Sequence, residues 1–141
     1  MYRWMLEVPC SVFDVHREIS VMAKERTFDL TDRLIQFSGS IIDVVELLPD
    51  RRSTNHIAGQ LLRAGTSAAP NHAEAQSAES ARDFVHKMKL ALKELRETQV
   101  WLKLVLQRKC IEQTDELQRV IKECDELTAI FVASIATAGR R

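Results

Sequence analysis

From Ser80 to Arg108 the sequence contains no glycine and no proline, and its apolar residues recur at steps of three and four. Ala81, Phe84, Met88, Ala91, Leu95, Thr98, Leu102 and Val105 fall on one stripe, flanked by Val85, Leu92 and Leu106. Apolar residues spaced this way share one face of a 3.6-residue helix, so the segment predicts a single long amphipathic helix. At ~1.5 Å per residue it is on the order of 40 Å long. Ser80 followed three residues later by Asp83 supplies its start, because hydroxyl and carboxylate together satisfy backbone amides that the first turn leaves free. A rod of that length in a chain of 141 residues buries its stripe only against other elements of similar length. With four glycines and three prolines, the chain is too poor in turn formers for a many-stranded β domain.

The partners of that rod are legible on either side. Leu30, Leu34, Phe37, Ile41, Val44 and Leu48 form a helical stripe from about Asp29 to Leu48, widened by Ile35, Ile42 and Val45. Pro49 ends it, since proline disfavours helix in the residue before it and has no amide to donate. The polar segment 50–55 connects to a second helix, with Ser53, Thr54 or Asn55 expected as its cap. A last helix runs from about Thr114 to Thr137 on Leu117, Val120, Cys124, Leu127, Phe131 and Ile135, with Gly139 beyond its end. The expectation is an all-α, antiparallel up-down four-helix bundle over residues 26–141, preceded by an N-terminal extension at 1–25.

The segment "TSAAPNHAEA", residues 66–75, decides whether the second helix is whole. Read as one helix over 56–77, its residues sort into three rows. Ile57, Leu61, Ala64, Ala68, His72 and Ala75 face a core. Leu62, Gly65, Ala69 and Ala73 form a row of small residues suited to close packing against another backbone. Gln60, Arg63, Ser67, Asn71 and Glu74 form a polar row. A loop has no reason to sort so, and the helix is expected to pass through Pro70 with a kink, because proline removes one hydrogen bond and crowds the carbonyl of Thr66. The polar row reads as a structural or subunit-contact network, and the small-residue row lets another backbone approach closely, so the helix is expected to face two neighbours, one inside its own bundle and one from another subunit.

Charge totals balance, with Lys plus Arg equal to Asp plus Glu at 20 each, so no overall excess attracts polyanions. The distribution is uneven. Residues 82–109 carry eight basic and three acidic side chains, net +5, whereas 112–126 carry two basic and six acidic, net −4. Arg82, Lys87, Lys89, Lys93, Arg96 and Lys103 are the candidate nucleic-acid-facing residues, against the plainer reading of solvated faces. Phe84 and Trp101 fit packing positions rather than a base-stacking surface.

Equipment for catalysis is missing. No HExxH or ExxH motif occurs, no acidic residue lies three or four positions after His86, Ser67 lacks a GxSxG context, and no glycine-rich loop precedes a helix. Cys10, Cys110 and Cys124 show no CxxC spacing and read as small hydrophobes rather than a disulfide framework or zinc site. No catalytic residue, cofactor, metal or small-molecule substrate is expected. Without a membrane-spanning apolar run or a signal peptide, a cytoplasmic location is expected.

"QLLRAGTSAAPNHAEA" (60–75) followed by "SARDFVHKMKLALKELRETQVWLKLV" (80–105) resembles the bacterial four-helix-bundle proteins related to the 23S rRNA intervening-sequence protein. The matching positions are Gln60, Leu61, Arg63, Ala64 and Ser67, then Asn71, Ala73 and Glu74, then Ser80 and Phe84, and Leu92, Glu94, Leu95, Glu97 and Trp101 further on. His72 stands where the family usually has isoleucine, and Ala75 where glycine commonly follows the glutamate. The resemblance covers about residues 22–137. It implies a bundle without known catalytic activity that assembles into a homo-oligomeric ring, a pentamer, and serves as an interaction scaffold. Relatives encoded within 23S rRNA insertions or beside diversity-generating retroelements imply the alternative, an RNA- or DNA-binding accessory protein. Residues 1–21 precede the family-like start at Met22, and their Trp4 and Phe13 suit an added arm.

Overall fold

The computed structural model describes residues 30–140, and all regular structure within them is α-helical. Helix α1 is described over 30–46, α2 over Arg52–Gln76, α3 over Ala81–Gln107 and α4 over Asp115–Ala138. The proposed N-terminal extension, with Cys10, Trp4 and Phe13, lies outside the described residues.

The stripes read from the sequence form one core. Leu34, Phe37, Ile41 and Val44 of α1 are buried together with Leu61 and Ala64 of α2, Leu95 and Leu102 of α3, and Leu127 and Phe131 of α4. Complete burial of a Leu or Phe side chain contributes roughly 1.5–3 kcal/mol, so these rows far outweigh any surface pair. The backbones of α2 and α3, and of α3 and α4, run close together, whereas α2 and α4 do not. Helix α1 is bonded to both remaining neighbours. Its Ser38 Oγ donates to the Gly65 carbonyl of α2 at 3.2 Å, and its Arg33 guanidinium donates to Glu123 and Glu126 of α4. Helices α1 and α3 therefore occupy opposite corners of the bundle.

Helix ends follow local chemistry. Ser80 Oγ accepts from the Asp83 amide at 3.1 Å, and Asp83 Oδ2 accepts from the Glu79 amide at 3.2 Å. Thr114 Oγ1 likewise accepts from the Leu117 amide. The start of α2 corrects the expectation from its sequence. It begins at Arg52, ahead of Ser53, Thr54 and Asn55, and its N-cap Arg51 makes no side-chain cap bond. Thr54 is buried, and its hydroxyl donates backward to the carbonyls of Pro49 and Arg51. The Asn55 amide donates to Asp50 at 2.7 Å. These side chains fasten the preceding turn instead of capping the helix.

Two further differences concern α1. Regular helix stops at residue 46 rather than at Leu48. Ile35 and Ile42, expected to widen the buried stripe, are 56% and 43% exposed. They stand on the α2 side of α1, beyond the rows that α2 covers.

Candidate functional site

Helix α2 continues without interruption through Pro70, so its three rows can be followed on one rod. The core row is buried, including His72. Nδ1 of His72 lies 3.2 Å from Thr31 Oγ1, and Nε2 lies 3.2 Å from Gln76 Nε2. Its ring meets Phe131 of α4 edge-on, with centroids 5.7 Å apart. Burial pushes its pKa below the ordinary histidine value. With two side-chain partners and a ring contact, His72 joins elements of the core.

The small-residue row divides between two environments. Gly65 is buried, and a Cβ placed on it would lie 2.6 Å and 2.8 Å from Cγ2 and Cγ1 of Ile41. Its close approach is thus to α1 of the same chain. Leu62 and Ala73 are exposed, and Ala69 is half-buried.

The polar row stands at the α2–α3 boundary. Arg63 forms ion pairs with Glu94, at 3.2 Å, and with Glu97. The guanidinium holds the Glu97 carboxyl below its usual range. Ser67 Oγ donates to the Arg63 carbonyl at 2.5 Å, and Asn71 Nδ2 donates to the Ser67 carbonyl at 2.8 Å. Gln60 and Glu74 make no side-chain hydrogen bond among the described residues. The row thus consists of one inter-helix ion-pair set and two side chains bound to their own helix, and its polar atoms do not converge on a common point.

The basic residues of α3 separate into a stripe and one outlier. Arg82, Lys89, Lys93, Arg96 and Lys103 are exposed and form no ion pair among the described residues. Steps of seven, four, three and seven keep them on one side of the helix. Lys87 points elsewhere and pairs with Asp83 at 3.2 Å, holding that carboxyl below its usual range. It therefore leaves the candidate nucleic-acid face. A groove between α3 and α4 runs beside the stripe, with Lys89, Lys93 and Arg96 over apolar Leu92, Val132, Ile135 and Ala136. Ile135, read from sequence as core, thus lines this groove. No single stripe marks this groove, because residues of two different helices combine to make it.

Trp101 and His56 pack in a T-shaped ring pair with centroids 5.9 Å apart, and Trp101 Nε1 donates to Glu97 at 3.4 Å. Cys124 is buried, its Sγ 3.5 Å from the Leu95 carbonyl, with burial pushing its pKa up to about 12. Cys110 is half-buried. Among the described residues no three His, Cys, Asp or Glu side chains gather as metal ligands would. No described helix is long and apolar enough to cross a membrane.

A solved structure supplies a relative for this arrangement: a protein of unknown function from the S23 ribosomal protein family of Bacteroides thetaiotaomicron. It is 27% identical, superposes with a TM-score of 0.70, and the alignment covers 78% of this chain and 97% of that one. No curated protein matches the chain. The family model described as 23S rRNA-intervening sequence protein matches residues 26–133. That match takes in the described parts of α1, all of α2 and α3 and most of α4, and the chain belongs to the 23S rRNA-intervening sequence protein family.

Proposed function

We propose that this protein is a non-enzymatic, cytoplasmic interaction scaffold that self-assembles into a ring-like homo-oligomer, a pentamer by family resemblance. The observation that carries the reading is the apolar outer surface shared by α1 and α2. Ile35 and Ile42 are exposed on one helix, with Leu62 and Ala73 exposed on the other. Exposed apolar clusters of this kind favour burial against a partner. The bundle is read as antiparallel and up-down. His56 meets Trp101 while Arg63 meets Glu94, and Thr31 meets His72 while Ser38 meets Gly65. Position advances on one helix as it retreats on the next, which supports that order. A kink at Pro70 belongs to the same reading, because the proline supplies no amide to the Thr66 carbonyl.

The unpaired stripe Arg82, Lys89, Lys93, Arg96 and Lys103 favours a second reading, a nucleic-acid-binding accessory protein. Light scattering at micromolar concentration tests the first: a mass several times 16.1 kDa is expected, and a monomer overturns it. Retention of generic RNA across a salt series tests the second, which requires affinity to fall steeply as salt rises.

A further inference from the structure

A closed ring needs two different patches on each subunit, one matching the other, because a head-to-tail contact joins unlike surfaces. Two unlike surfaces are available, one on the outer face of α1 and the other at the groove between α3 and α4. On α1, Asp32, Ile35, Gly39, Ile42 and Glu46 recur at steps of three and four on one outward face, with Asp43 beside it. Ile35 and Ile42 are the exposed apolar centre, and nothing lies within 4 Å of a Cβ placed on Gly39. Arg33 is the one basic residue among 30–46, and its ion pairs with Glu123 and Glu126 leave the outer face acidic. Asp32, Asp43 and Glu46 form no ion pair among the described residues.

The α3–α4 groove has the converse character. Lys89, Lys93 and Arg96 flank an apolar floor that includes Leu92 and Ile135, with Val132 42% exposed. Lys103 extends the charge further along α3. Asp32 and Glu46 are separated by the same sequence distance as Lys89 and Lys103, about 21 Å along a helix in each case. The acidic row of α1 therefore matches the basic row of α3 in length and charge, and its isoleucines match in polarity the apolar floor beside Lys89, Lys93 and Arg96.

We infer that the outer face of α1 from one copy docks in the α3–α4 groove of the next, with Ile35 and Ile42 over the apolar floor and the acidic side chains meeting Lys89, Lys93, Arg96 and Lys103. This contact rests on the self-assembly reading and specifies its surface. It joins unlike patches, so it propagates around a ring when the rotation between copies closes. It also neutralises the cations that would otherwise meet phosphates.

Charge reversal tests it through two variants, Asp43→Lys with Glu46→Lys, and Lys89→Glu with Lys93→Glu. All four positions are exposed, and circular dichroism checks that helix content is retained. Light scattering is expected to show each variant reduced to the 16.1 kDa monomer. The chain carrying all four changes is expected to regain the assembled mass, since reversing both patches restores their attraction. An unaltered chain that is itself monomeric overturns both this contact and the self-assembly reading. An assembled chain whose mass neither variant changes overturns the contact alone. If the Lys89→Glu, Lys93→Glu chain stays assembled but no longer retains RNA, the stripe belongs to nucleic acid and the contact is likewise overturned.

Discussion

Gly65 stands in the interior of α2, where glycine costs roughly 0.5–1 kcal/mol relative to alanine. Its environment explains the choice. A Cβ there would come within 2.6 Å of Ile41, a fully buried side chain whose branched Cβ allows one strongly preferred rotamer in a helix. Ser38 also reaches the Gly65 carbonyl, so α1 and α2 are bonded as well as packed at this point. Gly59, in the same helix, is exposed and has nothing within 4 Å of its added Cβ. The two positions therefore respond oppositely to one substitution. Gly65→Ala is expected to lose about 1–2 kcal/mol, overpacking of ~1–3 kcal/mol exceeding the gain in helix propensity. Gly59→Ala is expected to gain about 0.5–1 kcal/mol. Urea midpoints at an unchanged denaturant slope measure both, and a stabilised Gly65→Ala would show that Ile41 does not limit the approach.

At the scale of elements, the helix ends divide into those the sequence announces and those it conceals. Ser80 with Asp83 announces the start of α3 because the bonding pattern is local: the hydroxyl reaches an amide three residues on. The end of α3 has no such sign. Lys109 adopts φ 49, the Cys110 amide donates to the Val105 carbonyl at 3.1 Å, and the Lys109 amide donates to Leu106 at 3.1 Å. That closing turn ordinarily uses glycine, whose absence of Cβ removes a left-handed penalty of roughly 1–2 kcal/mol. Lys109→Gly is accordingly expected to stabilise the fold by about 1 kcal/mol, read as a rise in the thermal or urea midpoint; an unchanged or lowered midpoint rejects that account. The start of α2 was illegible for another reason. Ser53, Thr54 and Asn55 all have cap chemistry, but which one accepts a helix amide depends on the turn made by Pro49 and Arg51, and here Thr54 donates to that turn instead. The four apolar stripes were legible because burial follows helical period. Ile35 and Ile42 depart from the burial their spacing predicts, since a second apolar row has the same signature whether it faces a sibling helix or the outside. The basic stripe was readable except for Lys87, whose offset from its neighbours turns it toward Asp83. The groove beside the stripe needed two helices brought together, which no single periodicity encodes.

At the scale of the whole molecule, His72 makes the fold sensitive to pH just below neutrality, because it gathers α1, α2 and α4 around one buried titratable ring. A neutral ring satisfies its surroundings: in the tautomer that carries its proton on Nδ1, that nitrogen donates to Thr31 Oγ1 and Nε2 accepts from the Gln76 side-chain amide, while Phe131 meets the ring edge-on. Adding a proton would place a cation at a site 2% exposed to solvent, which is why burial lowers the folded pKa from 6.5. In the unfolded chain the ring titrates at that ordinary value. Above it both states hold a neutral ring and the contribution of His72 to stability is complete. As pH falls below 6.5 the unfolded state takes up the proton first, so stability declines until pH passes the lower folded value. One such group changes stability by at most about 1.4 kcal/mol per pH unit. Replacing it with a flexible apolar side chain of similar reach, His72→Met, removes the titration while retaining contact with Phe131. Urea denaturation at intervals from pH 7.5 to 5 is expected to show the unaltered protein losing stability steadily below pH 6.5, with a shallower loss in His72→Met. Parallel profiles for the two chains would mean that the pH sensitivity lies in other groups and that the buried ring tolerates its proton in place.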